Sequence, residues 1–501
     1  MNFRYELKLL ALLLSFFSGL TAYAQTFDGY ALYNEQNSKT SYLIDKDGNI
    51  AHSWSCNVNG SYAVALSDEG DLVRSGVYSG NVLTGAAIGG VLQVLDKDAN
   101  IIWEFVYSTA NYVSHHDICL MPNGNVLLTA WEVKSEAELE QAGSSSPDEK
   151  WPTHIIEVQR DGSGGKIVWE WHIWDHLIQD HDATKDNYGV VEDHPELMDI
   201  NAVAGSGGRM GGDWFHVNGI DYNETLDQIV FTSRYASEIF IIDHSTTTEE
   251  AASHSGGNSG KGGDFLYRWG NPSNYGSSDA QTIAGAVHDP RWIKEGRPNA
   301  GYIQFFNNVG GTGGASVVDA IKPPQDGYNY TWSGTSYGPV THDWRHECVT
   351  NSSGQSASDR MSNGNTFVNV SRKYMYEVDS LNNIVWQYND GPAKAFRYEC
   401  NDPGPIALLG ENGCGNLSAN AHTLKNTIVV YPNPSTGIFK VKGLEENEVF
   451  TATVTNVYGA TLYTGQNVQE IDLSAVSNGH YILHIDLQDG TRISEKLIRM
   501  N

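Results

Sequence analysis

The sequence has little positive charge and few cysteines. Its 501 residues include 31 Lys and Arg against 60 Asp and Glu, which gives a formal net charge of −29 at pH 7. This excess of acid argues against nucleic acid and against an anionic membrane surface as partners. The five cysteines include no C-x-x-C spacing, which argues against a zinc ribbon or a dithiol redox motif.

No apolar run beyond the N-terminus is long enough to form a membrane helix, so no transmembrane segment is expected in the mature chain. Aromatic residues and glycine, in contrast, are abundant: the chain has 13 Trp, 26 Tyr and 52 Gly, and 40% of it is hydrophobic. That much apolar area excludes disorder for most of the chain. This lightly charged, aromatic-rich composition is typical of all-β proteins, and the length predicts roughly two to four domains.

The N-terminus has the pattern of a secretory signal. Two basic residues precede an apolar stretch at residues 9–20, which is too short to span a bilayer, and an A-x-A cleavage site follows at residues 22–24. We predict a signal peptide over residues 1–24 and a mature chain that begins near Gln25; an uncleaved anchor is the alternative. In an exported chain some cysteines should be oxidised, and Cys400 and Cys414 are the best candidates for a pair, with at least one thiol left over.

A strand–turn–strand unit that ends in tryptophan recurs between residues 26 and 399. Its copies are Tyr42–Trp54, Leu92–Trp103, Ile155–Trp169, Ile239–Trp269 and Tyr374–Trp386. A second hairpin alternates with it, at Leu66–Val73, Leu120–Leu128, Tyr222–Phe231 and Met361–Val368. Each pair of hairpins supplies about four strands, and repeated four-stranded units are the signature of a β-propeller, here with about five or six blades. A β-sandwich array is the competitor, but it would not keep the two hairpins alternating.

Several hairpins of the second kind are directly preceded by a short motif that contains histidine. They follow His115-His116-Asp117, Trp214-Phe215-His216-Val217-Asn218 and His288-Asp289, and Arg234 ends the strand that comes after His216. The inner strands of a propeller converge on one axial channel, so residues at equivalent places in different blades meet there. A single histidine is usually structural, but a set repeated at one phase with an arginine predicts a functional site.

These residues carry a resemblance to the arylsulfotransferase family. The similar stretches, over most of residues 26–399, are DGYALYN…SYLIDKDGNIAHSW, HHDICLMPNGNVL, DWFHVNGIDYNETLDQIVFTSR, HDP…FFNNVGG and SNGNTFV. The resemblance implies a six-bladed propeller that transfers a sulfuryl group between phenols without a nucleotide donor. It also implies that His288 is the nucleophile, that His216 and Arg234 hold the sulfuryl and phenolic oxygens, and that His116 is a further catalytic histidine.

The residue types fit this chemistry. A neutral imidazole can attack sulfur and split one difficult transfer into two easier steps, and fixed cations such as Arg234 suit the negative oxygens of the group in transfer. We expect His115, Trp214, Asn218 and Asn308 to bind substrate, with Trp214 stacked on the aryl ring; packing in a blade core is the alternative for Trp214. At Asn307 the sequence departs from the family, which often has an acid there.

A polar insertion holds His176, His181 and His194 among carboxylates. These are ligand types for a divalent metal, but their spacing matches no known metal motif, so a solvated loop is the preferred interpretation. We therefore predict neither a metal nor a cofactor.

The C-terminal part has the pattern of a separate module. Residues 401–426 are turn-rich, and short alternating strands follow. The stretches YPNPSTG (431–437), NVYG (456–459), IDL (471–473) and GHY (479–481) resemble the type A sorting domain of the type IX secretion system. The resemblance implies a Gram-negative bacterium, export through the periplasm and outer membrane by that machinery, and release or surface attachment. An ordinary Ig-like sandwich is the alternative on strand pattern alone.

The patterns together predict an all-β chain: a six-bladed β-propeller at residues 25–400, a linker at 401–426 and a small Ig-like β-sandwich at 427–501. The preferred function is a secreted aryl-sulfate sulfotransferase that acts on small phenols and phenolic sulfate esters through a sulfohistidine. The alternatives are a non-catalytic binding or adhesion propeller and an aryl sulfatase. Acid-labile sulfate on the protein separates the enzyme from a binding protein, and phenol release independent of an acceptor indicates a sulfatase.

Overall fold

The computed structural model describes residues 26–500 except residues 36, 205–208, 280, 282–283, 411–428, 443–448, 457–459 and 488–491. The predicted signal peptide and Cys414 lie outside the described residues. The chain divides into two compact units, residues 1–414 and residues 415–501. Among the described residues, no helix combines the length and the apolar character needed to cross a membrane.

The first unit is built from four-stranded antiparallel sheets, of which its described residues contain six. The first three sheets contain β1 (Gly29–Asn34), β2 (Thr40–Ile44) and β3 (Ile50–Ser55); β4 (Gly60–Leu66), β5 (Leu72–Val77), β6 (Gly90–Leu95) and β7 (Ile101–Val106); and β8 (Tyr112–Leu120), β9 (Val126–Glu132), β10 (Thr153–Asp161) and β11 (Gly164–His172). Short segments follow: β12 (Leu177–Ile178), β13 (Met198–Asp199) and β14 (Arg209–Gly212).

The remaining sheets follow in chain order. The fourth contains β15 (Val217–Asn223), β16 (Gln228–Ser233), β17 (Glu238–Asp243) and β18 (Tyr267–Trp269). The fifth contains β19 (His288–Trp292), β20 (Ile303–Asn307), β21 (Val317–Ile321) and, after the inserted hairpin of β22 (Gln325–Asp326) and β23 (Asn329–Tyr330), β24 (Trp344–Glu347). The sixth contains β25 (Ala357–Arg360), β26 (Thr366–Val370), β27 (Tyr374–Val378) and β28 (Ile384–Tyr388), and β29 (Phe396–Glu399) returns to the first.

Helices are few and short. The α-helices are α1 (Glu136–Gln141), α2 (Thr248–Ala251) and α3 (Pro403–Leu409), and the 3₁₀ helices are Ile173–His176, Val191–Asp193, Pro272–Tyr275 and Thr312–Gly314. Within the described residues the first unit is therefore almost entirely β, which confirms the all-β prediction.

The ring closes by joining the two ends of the unit. Strand β29 is the innermost strand of the first sheet and pairs with β1, from Gly29 opposite Glu399 to Leu32 opposite Phe396. The innermost strands of the other sheets are β4, β8, β15, β19 and β25, and successive innermost strands from β4 to β29 are in contact. This arrangement is a β-propeller, as predicted, with the first and last strands of the ring locked in one sheet.

Two of the repeated tryptophans show how a blade is attached to its neighbour. Trp54 on β3 donates its Nε1–H to the Asp96 carbonyl in the β6–β7 turn at 3.1 Å, and Trp386 on β28 donates to the Lys46 carbonyl in the β2–β3 turn at 2.5 Å. The hairpins predicted from the sequence coincide with these strand pairs. They end in tryptophan because one side chain covers apolar area and also satisfies a carbonyl of the neighbouring blade.

Apolar side chains fill the spaces between the sheets. Between the third and fourth sheets, Ile155, Trp171, Phe231 and Phe240 share one fully buried cluster. Burial of each such side chain contributes roughly 1.5–3 kcal/mol, so this cluster holds the third and fourth sheets together.

Two details bear on the predicted boundaries. Cys400 is in a disulfide bond, whereas Cys56, Cys119 and Cys348 are free thiols. Part of the stretch that we predict as a turn-rich linker is helix α3, which has Pro403 in its first turn. The helix forms because its Leu408 packs against the buried apolar cluster of the first and second sheets, a contact that the turn-rich sequence does not reveal.

The second unit is a small two-sheet structure. One sheet contains β30 (Val429–Tyr431), β31 (Ile438–Lys442) and β34 (Glu470–Asp472); the other contains β32 (Phe450–Asn456), β33 (Thr461–Gln466), β35 (Gly479–Leu487) and β36 (Arg492–Arg499). Burial alternates along β31, and Phe439 and Ile471 from one sheet share a core with Val454 and Leu483 from the other. The unit is therefore a β-sandwich, as predicted.

Candidate active site

Four of the innermost strands contain a β-bulge, and in three of them histidine lies within the bulge or directly before it. The register shifts lie between Gly60 and Val64 in β4, between Ser114 and Ile118 in β8, at the start of β15, and after His288 in β19. A bulge adds a residue without a ladder partner and so turns a side chain away from its usual direction.

The backbone at these bulges is strained. His116 has φ 55°, His216 has φ 57° and Asp289 has φ 52°. Non-glycine residues rarely occupy this left-handed region, and such conformations concentrate at functional sites. The propeller therefore holds these residues in a conformation that the isolated sequence would avoid.

The structure brings together the four residues predicted to be catalytic, which we call the channel group: His116, His216, Arg234 and His288. The imidazole rings of His116 and His216 are 4.4 Å apart between centroids. The Arg234 backbone N–H donates to the His216 carbonyl at 3.0 Å. A β-carbon added to Gly354 would lie 3.0 Å from Arg234 Nη1 and 4.0 Å from His288 Cε1, so both side chains border the same point.

The tautomer of His288 follows from its neighbours. Its Nδ1 lies 2.7 Å from the Ala286 carbonyl oxygen and 2.7 Å from Asn308 Oδ1. Both of these atoms can only accept, so Nδ1 carries the proton and the neutral ring has its lone pair on Nε2. Asn308 is held in this orientation because its Nδ2 donates to the carbonyls of Ser352 and Gln355, at 2.9 and 3.2 Å.

Electrostatics keep His288 neutral. Its side chain is only 2% exposed, and burial lowers its pKa well below the usual value for histidine. The proximity of Arg234, His216 and Lys394 lowers the pKa further. His116 is similar: burial, followed by the proximity of His216, holds its pKa well below the usual value. At neutral pH both rings are uncharged, and His288 presents a free lone pair at Nε2.

His216 is oriented by a buried carboxylate. Its Nδ1 makes a short hydrogen bond with Asp213 Oδ2. Asp213 is 1% exposed and its Oδ1 also accepts from Trp131 Nε1 at 3.0 Å, which fixes the carboxylate in turn. His216 therefore donates from Nδ1 and directs Nε2 away from Asp213, the arrangement of a histidine that exchanges a proton with a substrate.

Arg234 is the cation of the channel group. Burial lowers its pKa, but a guanidinium stays charged in proteins. Among the described residues, none accepts a hydrogen bond from its guanidinium group, although Asp213 is near enough to interact electrostatically. A partly buried guanidinium with free donors is suited to bind the oxygens of an anion.

Lys394 adds a second, fully paired cation. It is 1% exposed, and its Nζ lies 2.8 Å from Asp117 Oδ2 and 3.4 Å from Asp289 Oδ1. These two aspartates directly follow His116 and His288 in the sequence. The ion pairs therefore tie two histidine-bearing strands to the segment just before β29.

The four residues predicted to bind substrate have other surroundings. His115 is buried behind His116: its ring stacks on Trp131 at 4.0 Å, and its Nδ1 lies 2.7 Å from that of His116. Trp214 is 1% exposed within the apolar cluster between the third and fourth sheets, and its Nε1 donates to the Val203 carbonyl. The expectation that Trp214 stacks on an aryl ring is therefore corrected: its ring is part of the core.

Asn218 and Asn308 support strands. Asn218 is fully buried; it donates to the Val287 carbonyl at 2.9 Å and accepts from Thr232 at 2.7 Å, so it ties the strand that begins at His288 to the neighbouring blade. Asn308 holds His288, as described above. Their placement favours a positioning role over direct contact with substrate, because the amide oxygen and the amide nitrogen of both side chains are already hydrogen-bonded within the protein.

Asn307, where the family often has an acid, is also structural. Its Oδ1 accepts from the Gly285 backbone N–H at 2.7 Å and its Nδ2 donates to Asp319 at 3.0 Å. The amide can make both bonds at once, whereas a carboxylate could not donate the second.

Several residues at the site were missed by the sequence analysis. Asp213 lies within the D-W-x-H block and could have been found from its position three residues before His216. Tyr62 lies in the bulge of β4, with its ring 6.2 Å from that of His116 and its hydroxyl 2.8 Å from Gln355 Nε2. Lys394 has no signal in the sequence, since only ring closure brings it to the histidines.

The polar insertion does not gather its three histidines. His176 is buried against Asp264, with Nδ1 2.8 Å from the carboxylate, and His194 pairs with Glu196 on the surface. Among the described residues, neither His181 nor His194 belongs to a group of three close metal-ligand side chains.

The comparisons with known proteins agree with the motifs. The family described as Arylsulfotransferase (ASST) matches residues 16–328, and the secretion system C-terminal sorting domain matches residues 429–500. A search of curated proteins finds no significant match.

The solved structures that this chain resembles are distant from it. The Pseudomonas aeruginosa periplasmic gluconolactonase PpgL is 10% identical with a TM-score of 0.37, covering 91% of this chain and 98% of its own. The β-propeller domain of Myceliophteria thermophila Cps50 (Swd1) is 9% identical with a TM-score of 0.36, covering 73% and 86%. At these values the likenesses carry nothing about the site.

Proposed function

The chain belongs to the arylsulfotransferase family, and we propose that it is a secreted aryl-sulfate sulfotransferase that moves a sulfuryl group from a phenolic sulfate ester to a phenolic acceptor without a nucleotide donor. The family supports a sulfotransferase enzyme. The C-terminal sorting domain indicates export by type IX secretion to the cell surface or the medium.

The observation that carries the proposal is the pairing of a neutral, fixed imidazole with an unpaired guanidinium. His288 has its proton on Nδ1 and its lone pair on Nε2. Arg234 borders the same point as His288. A nucleophile beside donors for the oxygens of an anion is the arrangement that sulfuryl transfer requires.

In the first half-reaction, His288 Nε2 attacks sulfur as the bond from sulfur to the aryl oxygen breaks. The product is an N-sulfohistidine whose ring carries positive charge, because Nδ1 keeps its proton. The two acceptors of that proton, the Ala286 carbonyl and Asn308, stabilise this charge. Arg234 donates to the sulfuryl oxygens throughout.

The departing phenolate takes a proton from His216 in its protonated form, which Asp213 stabilises. In the second half-reaction an acceptor phenol returns a proton to His216 Nε2 as its oxygen attacks sulfur, and the bond from sulfur to His288 breaks. Atoms and charge balance over the cycle: one sulfuryl group moves between two phenols, and the enzyme returns to its starting state.

The experiment uses the purified mature chain and p-nitrophenyl sulfate. With donor alone, about one equivalent of acid-labile sulfate should accumulate on the protein, and an added phenol should then be sulfated with ping-pong kinetics. The His288→Ala variant should lose both labelling and transfer, by a factor on the order of 10⁴ or more. His194→Ala, an exposed histidine outside the channel group, is the matched control and should keep both.

Full transfer by a folded His288→Ala variant would overturn the mechanism. Phenol release that does not depend on an acceptor would indicate a sulfatase instead. Retention of an aryl ligand without labelling would indicate a binding propeller.

A further inference from the structure

A second cluster of histidine and carboxylate lies where three neighbouring strands of the third sheet end. Glu132 is the last residue of β9, His154 is near the start of β10, and His172 is the last residue of β11. His154 is paired with His172 across one strand boundary and with Ala130 across the other. The register places all three side chains, which we call the strand-end group, on one face of the sheet.

The ligand atoms of this group are close together. One atom from each residue lies within 4.8 Å of the other two, and His172 Nδ1 is 3.1 Å from Glu132 Oε1. The rings of His154 and His172 are stacked 4.9 Å apart. Glu132 and His172 are partly exposed, so the group can be reached from solvent.

His154 provides an independent indication that something is bound. It is 1% exposed. Its Nε2 lies 2.8 Å from the Tyr107 hydroxyl, but among the described residues Nδ1 has no hydrogen-bond partner. A buried ring nitrogen without a partner costs roughly 1–3 kcal/mol, so an unpaired one needs an explanation.

A role as metal ligand would explain why Nδ1 of His154 has no partner within the described part of the protein. Histidines that bind metals almost always donate their other ring N–H to an oxygen, which fixes the tautomer. If His154 donates from Nε2 to Tyr107, the lone pair is on Nδ1, the atom that has no partner. The Tyr107 ring is itself held by stacking on Tyr112 at 4.3 Å.

We propose that the strand-end group is a site for Zn²⁺, with Glu132, His154 and His172 as its protein ligands. Two imidazole nitrogens and one carboxylate oxygen form a donor set typical of zinc, with a further position for water. Calcium and magnesium prefer sites made only of oxygen, so the two imidazoles argue against them. Lys134 contacts the second carboxylate oxygen of Glu132, Oε2, at 2.9 Å, whereas Oε1 faces His172, the other proposed ligand, and a bound ion would replace that contact.

The other compact group of possible ligands does not meet the same test. In the group of His176, His254 and Asp264, both ring nitrogens of His176 have partners: Nδ1 contacts Asp264 and Nε2 contacts the Ala251 carbonyl, each at 2.8 Å. No buried ring nitrogen in that group is left unpaired, since His254 is exposed, so the group serves as the matched control.

A zinc ion at the strand-end group would also brace the sulfuryl-transfer site without taking part in it. Glu132 directly follows Trp131, which stacks on His115 and donates to Asp213. The site is proposed independently of the sulfotransferase activity, and its test does not depend on turnover.

The test titrates the metal-free mature chain with ZnCl₂ by calorimetry, with thermal unfolding as the second readout. The wild-type chain should bind one equivalent of Zn²⁺ and unfold at a higher temperature with it. His172→Ala removes the most exposed ligand and should weaken binding at least about tenfold and lose the thermal shift. His254→Ala should bind as the wild type does. Zinc X-ray absorption should show two imidazole ligands.

Three outcomes would overturn the proposal: no binding of Zn²⁺ by the wild-type chain, unchanged binding by His172→Ala, or loss of binding only in His254→Ala. If His172→Ala should fail to fold, Glu132→Gln keeps the shape of that ligand and removes its charge, and the same at least tenfold weakening is expected.

Discussion

The channel group and the strand-end group both combine histidine with charged side chains. They differ in which atoms have no hydrogen-bond partner within the part of the chain that the structure describes. In the channel group the carboxylate of Asp213 is fully engaged by His216 and Trp131, while the guanidinium of Arg234 has free donors. In the strand-end group the cation is engaged instead: Lys134 is paired with Glu132, and the free atom is a nitrogen lone pair of His154.

This difference decides the sign of the ligand that each group can accept. Free donors on a cation attract an anion, such as a sulfate ester. A free lone pair beside a carboxylate attracts a metal cation. Residue types alone therefore do not distinguish an anion site from a metal site; the atoms left without partners do.

The largest effect on this comparison is expected from Arg234→Met, which removes the free donors and keeps an unbranched side chain that fills part of the same space. Transfer from p-nitrophenyl sulfate should fall about 10²–10³-fold, because the transition-state oxygens lose their fixed cation. Initial rates at saturating acceptor measure the effect. Arg160→Met, at an exposed arginine far from the channel group in sequence, is the control; equal losses in both variants would contradict the role of Arg234.

A smaller loss is expected from Asp213→Asn. The amide keeps an oxygen for Trp131 but can donate to His216 Nδ1, which reverses the tautomer of His216. Transfer should fall about 10²-fold, at the low end for general acid–base catalysis.

The Asp213→Asn loss should be greater for p-cresyl sulfate than for p-nitrophenyl sulfate, because the poorer leaving group needs the proton more. Equal losses with the two donors would show that Asp213 acts only on structure. Circular dichroism of the variant establishes that the fold is kept.

The smallest effect concerns pH. Burial and Arg234 lower the pKa of His288, so the neutral, nucleophilic form persists below the pH at which an ordinary histidine becomes protonated. The initial rate of protein labelling by p-nitrophenyl sulfate should therefore not fall by more than about twofold as the pH is lowered from 8 to 6, whereas a nucleophilic histidine of ordinary pKa would be about three-quarters protonated at pH 6. A half-loss near pH 6.5 would contradict the geometry around His288.

Much of the fold could be predicted because each blade repeats the same strand–turn–strand hairpins. The hairpins that end in Trp54 and Trp386 are visible in the sequence, since the turn and the tryptophan both act within a short stretch or on the next blade. The histidines of the channel group could be predicted for the same reason, because they occur at one phase of the repeat.

The features that could not be predicted depend on contacts between residues that are distant in the sequence, and such contacts leave no repeating pattern. Trp214 belongs to the core because of the blade packed against it, and an aromatic residue beside a histidine of the channel group gives the same sequence pattern in either role. His154 and His172 are 18 residues apart in the sequence and become neighbours only through strand register. Lys394 reaches Asp117 across 277 residues of chain.

The strand that closes the ring has a consequence for when the protein becomes active. Lys394, which pairs with the aspartates beside His116 and His288, lies two residues before β29. A chain that ends before Lys394 contains every histidine of the channel group, but its ring is open and Asp117 lacks its ion-pair partner, whereas Asp289 keeps Arg291. Closure of the ring and the pairing of Asp117 with Lys394 thus depend on the same segment, so we expect a chain that ends before Lys394 to lose transfer activity.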